Sequence, residues 1–258
     1  MPGTDVRQAS AEEPFEPLAR AALTLARRVA AGGTLFSAAP AWPWHAQHVA
    51  VEFVHPVVVG ARAVDAVAVP AEDPVGWLRP LARRGDALVL VADGADRTAR
   101  RLAARAALWG VTSIWLAVGE PPPVGAAHHV VHLHPDPAAS FSGRAVLGYH
   151  LLWELSQLCF EHPGLLAPGS STDIAETACV GDHCVTCSDE GRLGEVLAVA
   201  GTTARCATEQ GEEAVDVGLL GPLVLGDLVL IHAGVALQVV PEEALLLEES
   251  VLAGELPR

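Results

Sequence analysis

Basic residues are scarce in this sequence: Lys and Arg number 16 against 31 Asp and Glu, for a net charge of −15. Such a surface repels phosphate backbones and anionic lipid, which excludes nucleic-acid and membrane-surface binding. Aromatic residues make up only 5% of a chain that is 51% hydrophobic. Its interior is therefore built from alanine, valine and leucine, a profile that suits helices packed on a mostly parallel sheet. The amino terminus, "MPGTDVRQASAEEPFEP", lacks the basic start and apolar core of a signal peptide, so the cytoplasm is the expected location. No apolar run is long and clean enough to span a bilayer as a helix. The longest, "GLLGPLVLGDLVLIHAGVALQVV", is broken by Pro222, Asp227, His232 and four glycines. The cysteines are five, an odd number, and four of them crowd into 179–206. Without a secretory signal, that clustering suggests metal or thiol chemistry more than disulfide staples.

What is present falls into two halves of different rhythm. Residues 1–165 alternate helical and strand-like segments. "PLARAALTLARRVAAGG" (17–33) and "RTARRLAARAALWG" (97–110) carry helical spacing and close on glycine. "TLFSAA", "AVDAVAV", "DALVLVA", "TSIWLAV" and "HVVHLH" are short β-branched runs, and the alternation predicts a parallel sheet covered on both faces. A Pro/Gly/Ser-rich linker occupies 166–182. From 183 to 258 come short strands separated by glycines, the pattern of a small closed barrel, and a helical acidic tail.

Three groups of residues could carry chemistry. Cys184 and Cys187 stand three positions apart ahead of a strand, a spacing that fits a zinc pair, a redox pair or one working thiolate with a bystander. His48 and Glu52 lie four apart on a predicted helix and project from one face. His128, His132 and His134 share strand parity, either as a metal comb or as the polar face of a half-exposed strand.

Several stretches of the first half, "GGTLF…AQHVAVEF" (32–53), "GDALVLVADG" (85–94), "ALWGVTSIWLAVG" (107–119) and "LGYHLLWEL" (147–155), resemble the SIS family, in particular its phosphoheptose isomerase branch. The resemblance implies a flavodoxin-type α/β sandwich, commonly paired into a homodimer. It also implies a metal held by His48, Glu52 and His150, with Ser142 where the family has a glutamine ligand. Two imidazoles and a carboxylate are a zinc-type set with an open position. The family's phosphate turns are altered, however. The first reads "SAAPAWPWH" (37–45), where prolines remove N–H donors. In the second, "VADGADRT" (91–98), Asp93 and Asp96 replace hydroxyls. A degenerate site without sugar-phosphate chemistry is the expectation, and a metal-dependent sugar isomerase tethered to the barrel is the alternative.

From Cys184 onward, "CVTCSDEGRLGEVLAV" (184–199), "EEAVDVGLLG" (212–221) and "LGDLVLIHAGVALQVV" (225–240) resemble the HypC/HupF family of nickel–iron hydrogenase maturation chaperones. The resemblance implies an OB-type barrel with a C-terminal helix. It implies that Cys184, with His232 nearby, carries iron bearing cyanide and carbon monoxide. The implied partners are a HypD-like protein and the precursor of the hydrogenase large subunit. Thiolate is a soft ligand suited to such iron, and a neutral imidazole can ligate or support it. Here 183 residues precede the cysteine, so it is no processed amino terminus, and Cys187 leaves the division of roles open. A zinc ribbon would need a second C-x-x-C, which Cys206 alone does not provide. A redox pair would open a helix after a strand, whereas this one precedes a strand. The expected protein is a carrier, not an enzyme, and zinc remains a possible second metal.

Overall fold

The computed structural model describes residues 15–134, 140–167 and 191–246. Its first unit is a five-stranded, wholly parallel sheet in the order β2-β1-β3-β4-β5. The strands are β1 (Leu35–Ala38), β2 (Ala66–Ala68), β3 (Ala87–Ala92), β4 (Thr112–Val118) and β5 (His129–Leu133). This is the flavodoxin-type order, with its switch point between β1 and β3. β3 and β4 are buried along their whole length, which is why their sequences are unbroken apolar runs instead of alternating ones.

Alternate residues of those strands feed two cores. On one face Leu35, Val89, Ile114 and Leu116 meet three helices: α1 (Phe15–Ala30), α2 (Pro43–Val54) and α5 (Phe141–Glu161). On the other, Phe36, Leu88, Leu90 and Trp115 meet α3 (Pro74–Leu78) and α4 (Arg97–Leu108). Asp96 caps α4 by accepting the Ala99 N–H at 3.0 Å, and Gly110, at φ 73°, turns the chain back into β4. A short α6 (Pro163–Leu166) follows α5.

The second unit is a closed barrel of β6 (Arg192–Ala200), β7 (Thr203–Thr208), β8 (Gly211–Asp216), β9 (Leu228–His232) and β10 (Val235–Val240). The antiparallel meander β6-β7-β8 is closed by β9 against β6 and by β10, which pairs antiparallel with β9 and parallel with β8. That is the Greek-key closure expected of an OB-type barrel. Val196, Cys206, Val215, Val229 and Ile231 fill it. A 3₁₀ turn, Glu242–Leu246, opens the C-terminal tail.

The barrel's outer face is not free. Leu228, Leu193, Val240 and Leu245 join the α4-side core with Leu102 and Trp109, so the two units share apolar packing. At its centre the Glu195 carboxylate, 6% exposed, accepts hydrogen bonds from Arg79 Nε at 2.7 Å and Trp109 Nε1 at 2.5 Å, with Arg105 Nη1 at 3.4 Å. Arg105 also reaches Gly226 O and Glu242, and Arg84 donates to the carbonyls of Thr208 and Glu209. Every cation of this seam is an arginine, because the chain contains no lysine. The fork of donors suits carbonyl and carboxylate acceptors alike.

Candidate functional site

Two helices bring the first set together. α2 begins at Pro43, whose fixed φ suits a first helical turn, and it leads away from the carboxyl end of β1. α5 leaves the carboxyl side of β5 with Ser140 capping Gly143. Where they face each other, His48, Glu52 and His150 offer one ligand atom each within 4.8 Å of one another. His48 Nε2 lies 3.1 Å and His150 Nε2 3.4 Å from the same Glu52 oxygen. His150 Nδ1 donates to the Val146 carbonyl at 2.8 Å, which leaves its Nε2 lone pair facing the cluster. The histidine side chains are 40% and 35% exposed, so solvent can supply a further ligand. Two neutral imidazoles and a carboxylate with an open side fit a zinc-type divalent cation.

Sequence reasoning missed two members of this neighbourhood. Tyr149, 1% exposed, places its hydroxyl 2.8 Å from His48 Nδ1 and 3.4 Å from His45 Nδ1. His45, equally buried, puts its Nε2 3.1 Å from Ser142 Oγ. Burial, and then the Glu52 charge, push the Tyr149 hydroxyl up to about 12. Burial, and then His48, push His45 down, which keeps it neutral. Ser142 therefore bonds to His45, behind the donor cluster. The only signal for His45 was its one-turn spacing from His48, and Tyr149 was hidden because the contact crosses between helices.

At the carboxyl ends of β3 and β4, the loop after β3 packs a carboxylate of the protein against the loop after β4. Asp93 accepts the Ala95 N–H at 2.8 Å and the Glu120 N–H at 3.3 Å. Asp96 is occupied in capping α4. These two N–H groups are satisfied internally, and a Cβ on Gly119 would come within 2.0 Å of Asp93 Oδ2. The other histidines have local work: His128 Nδ1 meets Ser113 N–H and hydroxyl at 3.1 and 3.0 Å, and His132 Nε2 donates to Gly119 O at 2.8 Å. His132 and His134 stack edge to face at 4.5 Å. Among the described residues these three form no metal comb.

In the barrel, Cys184 and Cys187 lie outside the described residues, and His232 lies within them. His232 ends β9 on the outward parity, opposite to the buried Val229 and Ile231, and is half-buried instead of packed in the barrel core. The β6–β9 register pairs Ile231 with Arg192, so His232 lies at the barrel end where the chain enters β6, next to Gly191. That entry follows Cys187 by four residues. A two-residue turn, Ala233 at φ 49° and Gly234 at φ 79°, carries the chain from His232 into β10. Among the described residues two cysteines are free thiols, Cys159 and Cys206; Cys206 is fully buried, and burial, then Glu213, push its thiol up to about 11. Burial also raises Cys159.

Comparison with known proteins separates along the same division. No curated protein matches the chain at a significant level. A phosphoheptose isomerase from Francisella tularensis is 14% identical, with 55% of this chain covering 86% of that one at a TM-score of 0.48. A protein from E. coli CFT073 is also 14% identical, with 60% of this chain covering 84% of it at a TM-score of 0.44. No helix of the described residues is long and apolar enough to cross a membrane. Residues 193–251, which run from the second residue of β6 into the tail, match the family model of HupF/HypC, and it is this family that the C-terminal part of the chain resembles.

Proposed function

We propose that this protein is a hydrogenase maturation chaperone, a carrier and not an enzyme, acting in the cytoplasm. The match of the HupF/HypC family to the barrel carries the reading. In this role Cys184 binds iron bearing cyanide and carbon monoxide while the barrel is docked on a HypD-like protein. The unit then passes to the precursor of a nickel–iron hydrogenase large subunit. The half-exposed position of His232, at the end where the chain from Cys184 and Cys187 enters the barrel, supports it as a second ligand or as hydrogen-bond partner to sulfur. The α/β unit serves recognition, or pairs two copies.

The test is anaerobic co-expression with a HypD-like protein and an infrared spectrum of the complex in the cyanide and carbonyl stretching region. Bands in wild type and Cys187→Ala that vanish in Cys184→Ala are the expected result. A stable complex without bands in any variant reduces the protein to a docking scaffold, and no complex at all removes the reading.

A second reading rests on the gathering of His48, Glu52 and His150: the α/β unit binds a divalent cation of zinc type. Sugar-phosphate isomerisation is opposed by the carboxylate of Asp93, which stands in the loop after β3 and already takes the Ala95 and Glu120 N–H donors. Binding of any sugar phosphate in a calorimetric screen would revive the isomerase.

A further inference from the structure

Three buried or half-buried polar side chains lie behind the candidate cation site, and none of them is needed to hold a cation. Ser142 Oγ meets His45 Nε2 at 3.1 Å, His45 Nδ1 meets Tyr149 Oη at 3.4 Å, and Tyr149 Oη meets His48 Nδ1 at 2.8 Å. The chain of contacts ends at His48 Nε2, 3.1 Å from Glu52. Buried polar atoms must keep partners in every populated state. This series satisfies that requirement in two opposite directions.

In the first direction, Glu52 only accepts, so His48 carries its proton on Nε2. His48 Nδ1 then accepts from the Tyr149 hydroxyl, Tyr149 Oη accepts from His45 Nδ1–H, and His45 Nε2 accepts from the Ser142 hydroxyl. A cation bound through His48 Nε2 requires a lone pair there, so the imidazole must carry its proton on Nδ1 instead. His48 then donates to Tyr149, Tyr149 to His45 Nδ1, and His45 Nε2–H to Ser142. Both states use the same three contacts and leave no atom of the wire unpaired.

We propose that Ser142, His45, Tyr149 and His48 form a hydrogen-bond wire whose direction reverses when a divalent cation takes the Nε2 lone pair of His48. The protons balance. One leaves His48 Nε2 to water, Tyr149 passes one to His48 Nδ1, and His45 Nδ1 passes one to Tyr149. Ser142 passes one to His45 Nε2 and regains one from water at its half-buried position. His48 and His45 each exchange one tautomer for the other and remain neutral. Tyr149 and His45 are thus positioning residues: they hold His48 as a ready ligand without stranding its inner nitrogen. This inference rests on the cation reading of the cluster.

Nitrogen-15 histidine spectra of the full chain, recorded with and without Zn²⁺, test it. In wild type, His48 is expected to pass from the Nε2–H to the Nδ1–H tautomer, and His45 from Nδ1–H to Nε2–H, at the same Zn²⁺ occupancy. Tyr149→Phe keeps the ring and removes the link. It is expected to weaken Zn²⁺ binding by about 10- to 100-fold and to uncouple His45 from the metal. Ser142→Ala, at a half-buried position, is expected to leave the fold intact while blunting the His45 response. Wild type that binds Zn²⁺ and switches His48 but leaves His45 unchanged overturns the wire and spares the cation site. Wild type that binds no Zn²⁺ overturns both.

Discussion

Replacing Glu195 by alanine is the sharpest probe of how the two units hold together. The carboxylate is 6% exposed and receives Arg79 and Trp109 directly, with Arg105, itself 8% exposed, at 3.4 Å. Removing it leaves an indole N–H without its acceptor and two guanidinium groups facing a hole in the seam. Deleting one partner of a buried ion pair costs about 3–5 kcal/mol. Arg105 retains Glu242 and Gly226 O, and Arg79 is 34% exposed and can reach water, so the lower end, about 3 kcal/mol, is expected. Urea unfolding of the full chain measures it. Because apolar packing is shared across the seam, wild type is expected to unfold in one transition, and Glu195→Ala in two, with the barrel melting first. A double-mutant cycle with Arg79→Ala separates the direct contact, with a coupling of about 0.5–3 kcal/mol expected. A loss below about 1 kcal/mol, with the pair additive within about 0.5 kcal/mol, would refute the seam.

Other consequences are open to measurement. Cys206 should resist iodoacetamide at pH 8 in the folded protein, because its raised thiol stays protonated there; mass spectrometry showing labelling as fast as in urea would contradict its burial. Its effect on stability has a definite sign. The unfolded thiol ionises from its ordinary value of 9.0 while the folded one holds its proton to about 11, so this contribution is whole below pH 9 and is lost as pH rises through that window. Gly119→Ala should destabilise by about 2 kcal/mol or more in thermal melts, since φ 106° and the approach to Asp93 both exclude a Cβ. Ala233→Gly should instead stabilise, by about 1 kcal/mol at most, by relieving a left-handed alanine; a lower melting temperature would mean that the turn is not strained.

Much of this molecule is written in local pattern. The run "TSIWLAV" is β4 residue for residue, and α4 begins at Arg97 and closes before Gly110 because cap and stop are encoded beside it. The four-residue spacing of His48 and Glu52 carries through to a shared helical face, and His150 arrives beside them. What sequence spacing does not encode is contact between elements. Tyr149 reads as one more aromatic on an apolar helix until α5 is laid against α2. Glu195 reads as the exposed residue of an alternating strand, since nothing within β6 announces the three donors that arrive from α3 and α4. Asp93 reads as a charge that would repel a ligand, whereas it ties the loop after β3 to the loop after β4.

The seam also restricts the directions of approach. A barrel standing alone could be met from any side. Here the strip running along Leu193, Glu195 and Leu228 is roofed by α4 and Trp109, while the β7–β8 turn is pinned by Arg84. A partner therefore comes to this barrel as to a wall-mounted fixture. It finds the strip along Leu193, Glu195 and Leu228 closed to it, whereas His232 at the end of β9 is partly open.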